Sequence, residues 1–574
     1  MLRARSSRAL RFLRFSSSSS HQPNAPLDLD KSFRTLLRDI DNSITEQKLN
    51  RHHALPEIHV LTGYPTDSDV TESANPDNER KSRAQPKSPA AHFGSQQLGA
   101  VVIPQELQQT ISALISDSDK HLLRSDAKRL FNEPGDDNDW DPSLDVRYKS
   151  FQQQRRHAER DGTAFVSVAL PAHYSAIYAV LHHIKSRLGP QWSVQNVLDW
   201  GAGAGSALWA AGYAFQKTND STADDKGQVT LSSTAIVKYV GIEKRDGLVS
   251  VGRRLLEDVP HDSMDISWGR FYGDPHDGSH TIAISAFFLS TLQVSWQRKM
   301  LVKEMWESGA ETIVLLDHSS TSGFQTIGAA RKLLLDLGQK EMENGEKSAV
   351  GSHVLAPCPH DGGCPIHQSN VSKLVCGFSQ RMERPPFVRH TKHSGVGHED
   401  IKYSYVVIRR GPRPSIPDVK VGRLGDVGRR QMQFEEAKRP PVELKLDDGN
   451  TPPSSTHVIA STHTEKPIES HGYKPSEIEN LMKAEAFHWP RIVFPPLKKS
   501  GHVAMDVCGP SGKILRMTVP KSQGKQPFYD ARKSSWGDIF PHEPKNPPQV
   551  RYPQHEDQPA NGRKKIRKSR KGAR

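Results

Sequence analysis

The chain has 574 residues, with 78 basic and 65 acidic side chains, a formal charge of +13, 35% hydrophobic residues, 40 prolines, 41 glycines and four cysteines. That length exceeds what one hydrophobic core serves, so two or three domains are expected, and the Pro/Gly content with a mean hydropathy of −0.64 assigns much of the chain to linkers and tails. No uninterrupted apolar run approaches the ~20 residues that cross a bilayer, and four cysteines make no disulfide scaffold, which sets aside membrane-spanning and cysteine-rich secreted classes.

Residues 1–20 carry Arg3, Arg5, Arg8, Arg11 and Arg14 between Leu2, Leu10, Leu13 and Phe15, are serine-rich and hold no acid. That is the composition of a mitochondrial presequence, and the arginines interrupt any secretory apolar stretch. At the other end, residues 563–574 carry eight Lys or Arg and no acid. These five and eight charges account for the whole of +13, so the body of the protein is formally neutral. The tail, as a flexible charge run within a disordered 546–574 segment, supplies sequence-independent phosphate affinity.

Residues 21–99 read as largely disordered linker, because polar residues with scattered Pro and Ser cannot repay the entropy of ordering. Residues 100–190 read as a helical lead-in, with Tyr174, Ile177, Leu181, Ile184 and Leu188 on one face at 3.6 spacing.

An α/β domain is expected over 191–350. In VQNVLDWGAGAGSALWAAGYAF a strand through Val197 and Leu198 ends at Asp199, glycines follow at 201, 203 and 205, and a helical pattern comes next. The glycines let backbone approach a ligand, and the helix start offers free amides. The spacing D-x-G-x-G-x-G differs from that of dinucleotide binders and resembles motif I of class I S-adenosylmethionine-dependent methyltransferases. The next strand, AIVKYVGIEKRDG, ends in Glu243, where such enzymes place a carboxylate for two ribose hydroxyls; one acid accepts two hydrogen bonds. The cofactor residues are therefore Asp199, Gly201, Gly203, Gly205 and Glu243. Residues 216–228 read as a surface insertion. Two later strands, HTIAISAFFLSTL and ETIVLLDHSSTSGF, with a helix around Val302–Ser308 between them, complete the alternation of a doubly wound, Rossmann-like sheet. Base-methylating enzymes often carry Asn/Asp-Pro-Pro-aromatic after the fourth strand; this chain has SAFFLSTLQ, and no catalytic residue is assigned.

Residues 351–410 form a cysteine and basic segment ending in the last strand. Cys358, Cys364 and Cys376 are spaced C-x5-C-x11-C, and Cys508 follows in a small β-rich piece, 488–545. Four converging thiolates would suit an iron–sulfur cluster or a tetrahedral zinc. Structural zinc usually uses C-x2-4-C knuckles, and a three-plus-one set with prolines after Cys358 and Cys364 is closer to cluster ligation. A mixed zinc site with His353, His360 or His367 is the rival, and four unrelated buried thiols the third possibility. Between Arg381 and His393, Arg381, Arg384, Arg389 and Lys392 face one acid, Glu383, with Phe387 and His390 interleaved, which suits RNA phosphates and an unstacked base; a solvated charged face is the alternative. Residues 411–487, with RGPRPSIP, KRPPVE and GNTPPSSTH, read as insertion or linker.

Taken together, DWGAGAGSALWA, PCPHDGGCP, CGFSQRMERP, TKHS, EDIKYSYVV, WPRIVFPPLKKSGHVAMDVC and YDARKSSWGD resemble the family of methyltransferase-like mitochondrial small ribosomal subunit assembly factors, over roughly residues 165–410 and 488–540. The resemblance implies a mitochondrial matrix protein, monomeric off the ribosome and not membrane-bound, that meets the small subunit, its rRNA and its ribosomal proteins during maturation or as a resident component. It implies a four-cysteine 4Fe-4S cluster on Cys358, Cys364, Cys376 and Cys508, S-adenosylmethionine binding by the Asp199–Gly205 loop, and little or no catalysis. Where the family tends to read E-P-G-T-P-x-G-F, this chain has DHSSTSGF at 317–324, keeping Asp317, Gly323 and Phe324 without the prolines. An active rRNA methyltransferase using the same site is the second functional expectation, and a metal-dependent small-molecule methyltransferase a third that fits the basic tail poorly.

Overall fold

Val197, Leu198 and Trp200, all buried, make β2 (Asn196–Trp200) a strand covered on both faces, as the centre of a parallel sheet requires. The computed structural model describes residues 87–95, 98–131, 151–217, 229–261, 263–273, 278–344, 350–368, 374–438 and 474–552. The expected presequence, most of the 21–99 linker and of the 216–228 insertion, and the basic tail lie outside the described residues.

The other strands of the main sheet are β1 (Ala100–Val101), β3 (Lys238–Ile242), β4 (Asp265–Gly269), β5 (Thr281–Ala286), β6 (Thr312–His318), β7 (Ser352–Ala356), β8 (Phe378–Glu383) and β9 (His398–Arg410). Their order is β4-β3-β2-β5-β6-β9-β8-β1, with β7 also on β9. β4, β3, β2, β5 and β6 pair in parallel, and β9 runs antiparallel to β6, β7 and β8. This is a doubly wound, Rossmann-like sheet, and its order reverses between β2 and β5, where such sheets bind ligands at the carboxyl ends of their strands.

The Phe151–Leu188 helix carries the expected apolar face: Ile177, Leu181 and Ile184 are fully buried in the core that also holds Val197 and Tyr239. Its Ala158–Leu188 part is apolar and long enough to cross a membrane by composition, so the expectation that no segment reaches that length needs correcting. In the fold 89% of its most apolar window lies inside the protein, which makes it the central core helix.

β7 and β8 share the side of β9 away from β6: Ser352 lies opposite Arg410 and Ala356 opposite Val407, while Phe378 lies opposite Tyr403 and Glu383 opposite His398. The described residues between these two strands, 357–368 and 374–377, lie outside the sheet and carry the first three cysteines. The β-rich piece is a second, antiparallel sheet: β10 (Arg491–Ile492), β11 (Leu497–Lys498), β12 (His502–Cys508), β13 (Ile514–Pro520) and β14 (Gln549–Arg551). Alternate residues Val503, Met505 and Val507 of β12 bury against Met517, Val519 and Phe528, the period-2 pattern of a one-sided sheet.

Two stretches read as linker are folded in part. Ser88 is fully buried and donates from its N–H and Oγ to Asp530 at 3.0 and 2.6 Å, capping the Pro89–Phe93 helix. After β9, Arg413 pairs with Asp361 at 2.7 Å, Val421 buries against Met482 and Trp489, and Arg423 pairs with Glu485. The Asp426–Ala437 and Pro475–Ala486 helices flank the remainder of the 411–487 segment. A few buried anchors hold a segment whose average composition is polar.

Candidate functional site

The glycine turn follows β2 at the reversal of strand order. Gly201, Gly203 and Gly205 have φ of +78°, +57° and +90°, the left-handed region that favours glycine, and the Ser206–Ala214 helix starts directly after them. A Cβ on Gly201 would stand 2.2 Å from Cγ of Phe288, so that ring lies against the turn. Asp199, at the end of β2, is buried and accepts from the Tyr239 hydroxyl at 2.7 Å; burial pushes its carboxyl up to about 7 despite that bond.

Glu243, just past β3, is 3% exposed and fully engaged by the chain itself. Its Oε2 accepts from the Gly203 N–H at 2.8 Å and from Arg245 Nη2 at 2.9 Å. Its Oε1 accepts from the Lys244 and Arg245 amides and from Arg245 Nε at 2.9–3.0 Å. Burial pushes the carboxyl up, but the Arg245 guanidinium and these amides outweigh it and hold the group below its ordinary value. Phe165, His173, Asp199, Gly203, Arg245 and Phe287 enclose a cavity of about 40 Å³. Ligand sites for small molecules run from ~300 Å³ upward, so a nucleoside enters here only after Arg245 and the aromatic rings move aside.

At the carboxyl end of β5, where the sequence departs from base-methylating enzymes, Phe287 holds φ +55° and stacks on His173 at 4.1 Å. His173 is buried, and desolvation keeps it neutral, well below its ordinary pKa. Asp317, at the end of β6, accepts from the Ser290 N–H and Oγ and from the His318 N–H at 2.7–2.8 Å. That carboxylate fixes the Leu289–Thr291 turn, and Ser320 caps the following Thr321–Glu343 helix by accepting from the Gly323 N–H at 3.0 Å.

The four thiols come together. Cys358, Cys364, Cys376 and Cys508 line one cavity with Pro357, Pro365, Ile366, Val493, Ile514 and Arg491, and all four are unpaired by disulfides. Cys508 ends β12, directly opposite Arg491 of β10. His360 Nε2 lies 3.3 Å from Cys508 Sγ, whereas His353 Nδ1 bonds the Gly411 carbonyl at 2.8 Å and the His367 ring lies against Gly328 and Phe324. The bond with Cys508 pulls the Cys358 thiol well below its ordinary pKa, and the same bond with burial pushes Cys508 well above. Among the described residues no group of three or more His, Cys, Asp or Glu side chains is placed to hold a metal ion.

Two buried guanidiniums near the thiols have unusual partners: Arg491 lines the cavity, and Arg331 acts electrostatically on Cys358, Cys364 and Cys376. Arg491 is 1% exposed and donates to the Pro357 and Gly537 carbonyls at 2.9 and 2.6 Å and to His183 Nε2 at 3.0 Å. Arg331, 4% exposed, donates to the His360 carbonyl at 2.9 Å. Neither makes an ion pair with a carboxylate among the described residues. Sequence reading passed over both arginines, because nothing local distinguishes a buried Arg from a surface one.

The basic run is largely committed within the fold. Arg381 forms a two-bond pair with Asp400, and Arg384 and Lys392 both pair with Glu399 at 2.8–2.9 Å. The Lys392 side chain is only 1% exposed, while Arg389 is exposed.

Comparison with known proteins places these features in a family. The model described as "Mitochondrial small ribosomal subunit Rsm22" matches residues 159–432 and 451–541. Rsm22-cox11 tandem protein 2, mitochondrial, of Schizosaccharomyces pombe is 28% identical over 395 residues, covering 67% of this chain and 43% of that protein. Ribosome assembly protein METTL17, mitochondrial, of Homo sapiens is 22% identical over 394 residues, covering 68% and 64%. Ribosome assembly protein RSM22, mitochondrial, of Saccharomyces cerevisiae is 24% identical over 283 residues, covering 40% and 38%. The chain thus spans less than two thirds of the length of each of these relatives.

Proposed function

Because the chain belongs to the mitochondrial small ribosomal subunit Rsm22 family, we propose that it acts in the mitochondrial matrix as an assembly or component protein of the small ribosomal subunit, binding rRNA and supporting mitochondrial translation. Its methyltransferase fold serves as a binding platform in this reading. The thiols of Cys358, Cys364, Cys376 and Cys508 hold a 4Fe-4S cluster that ties the C-terminal sheet to the interrupted edge of the main sheet.

The observation that carries the reading is the thiol cavity. It draws on residues that the sequence separates widely; the Arg491 guanidinium lines it and the buried Arg331 guanidinium acts on the same thiols electrostatically, and neither has a carboxylate partner among the described residues. A buried cation needs a compensating charge, and four thiolates around an iron–sulfur group supply net negative charge. The residues present therefore fit such a group in donor type and electrostatics. When bound, it would supply a covalent cross-link between distant segments, with folding and loading coupled.

S-adenosylmethionine binding at Asp199, Gly201, Gly203, Gly205 and Glu243 belongs to the same proposal. The left-handed glycines support it. The engagement of Glu243 by Arg245 means that the side chain of Arg245, 45% exposed, swings away first. An active rRNA methyltransferase remains the second reading, favoured by the retained turn and acid. Against it, Asp199, Glu243 and Asp317 are all engaged by hydrogen bonds from the chain itself.

Co-sedimentation of Cys508→Ser protein with small-subunit particles tests the first reading. Loss of association together with loss of iron and sulfide is expected; unchanged association, or one equivalent of zinc and no iron in the parent protein, overturns the cluster's role. Mass mapping of small-subunit rRNA with Gly203→Asp protein separates the second reading, since loss of one methyl mark with normal subunit assembly would favour catalysis.

A further inference from the structure

A second cavity shares Arg491 with the thiol cavity. It measures about 490 Å³, inside the range of small-molecule sites, and opens between the first half of β8, the start of β9, the Phe151–Leu188 helix and the loop at Trp536. Phe378, Tyr403, Tyr405 and Trp536 line it among polar residues that include Gln380 and His183, and the Phe378 and Tyr405 rings meet edge to face at 5.0 Å. The Arg491 guanidinium forms part of the lining, while the Arg381–Asp400 pair stands where side chains are about half exposed, at 51% and 44%. Trp536 Nε1 is buried without a hydrogen-bond partner.

These features select a ligand. Aromatic side chains in the lining suit a planar ring, an unpartnered indole N–H suits an acceptor on its edge, and the Arg491 guanidinium, shared with the thiol cavity, adds positive charge for an anionic group. A base stacked on aromatic residues with its phosphate near arginine has all three properties. The site is separate from the glycine turn, whose lining residues it does not share.

We infer that this cavity binds a single nucleotide, its base against Tyr403, Tyr405 and Trp536 and its phosphate toward Arg381 and Arg491. The occupant is either a free nucleotide or one turned out of an RNA strand. The inference stands apart from the assembly role, since subunit co-sedimentation can fail while the cavity still binds.

Calorimetry on the full chain, with the four ribonucleoside 5′-monophosphates and a short single-stranded oligoribonucleotide as probes, tests it, together with ultraviolet crosslinking and peptide mapping. Saturable binding at one site per chain is expected, weakened roughly tenfold or more by Trp536→Leu or Tyr403→Leu in proteins that melt like the parent. Equal binding of monophosphates and oligonucleotide identifies a free occupant, and binding of the oligonucleotide alone an RNA-borne one; either supports the site. No saturation by either probe at millimolar concentration overturns it, as does affinity unchanged in both variants. If the variants do not fold, the parent's crosslinks decide: attachment at Tyr403, Tyr405 or Trp536 supports the site, and attachment only elsewhere overturns it.

Discussion

The main-chain N–H of Gly203 donates to Oε2 of Glu243 at 2.8 Å, joining the glycine turn to the end of the neighbouring strand. The acid that a cofactor ribose would use is thus already answered by the turn beneath it and by Arg245 above it.

Removing the Arg245 guanidinium should therefore free acceptor capacity. Because that side chain is half exposed, its pair with Glu243 is partly screened and worth little more than a surface ion pair, ~1 kcal/mol. Arg245→Ala is expected to tighten S-adenosylmethionine binding by roughly two- to fivefold in calorimetry. Equal or weaker binding would show that Arg245 does not compete for the acid.

Asp199 makes stability depend on pH in an unusual direction. Its carboxyl sits at about 7 in the folded chain, against about 3.9 in an unfolded one. Between those values the folded chain holds a proton that the unfolded chain has released, so this contribution is complete below about pH 4 and is lost as pH rises through about 7. Asp199→Asn abolishes the loss. The stability of the variant relative to the parent, from urea unfolding, should rise between pH 5 and pH 8 by on the order of 2 kcal/mol; a flat difference would remove Asp199 as the cause.

Glu399 holds two cations, one of them nearly inaccessible. Its loss takes the carboxylate from the Lys392 ammonium and the Arg384 guanidinium, so Glu399→Ala is expected to cost about 3 kcal/mol. Adding Lys392→Met should recover much of this, because the charge needing a partner is then gone. Denaturant unfolding of both variants checks the pair; a cost below about 1 kcal/mol would return Lys392 to the surface group that the sequence suggested.

The thiol cavity predicts where the protein loosens. With Cys508 changed to Ser, or with any metal on the thiols removed by chelation, limited proteolysis should accelerate within residues 488–552, while the main sheet from β2 to β6 remains protected. Uniform acceleration across both sheets would mean that the thiols support the whole fold rather than the junction.

Much of the main sheet is legible in the sequence because its signals are local. VLDWGAGAG announces strand, turn and helix within a few residues, and the apolar strands alternate with helical patterns. The thiols of the 357–377 excursion were visible, but the division of one sheet edge into β7 and β8 was not, since both parts are defined by their register on β9 rather than by their own residues. Composition misled at 411–438, where Val421, Arg413 and Arg423 suffice to pin an otherwise polar segment. At the candidate sites, residue types marked Glu243 and the cysteines. The ion pair that occupies Glu243 and the buried arginines beside the thiols arise from tertiary placement.

The cavity around the thiols also has a history written into chain order. Cys508 is synthesised 132 residues after Cys376, which at cellular translation rates is roughly 7–26 s later. Throughout that interval the first three thiols wait without the strand that covers them. The nascent chain therefore passes through a stage in which three of the four thiols are present and the strand that carries the fourth does not yet exist. Reducing conditions and a protected environment matter most during those seconds, before the last sheet closes over them.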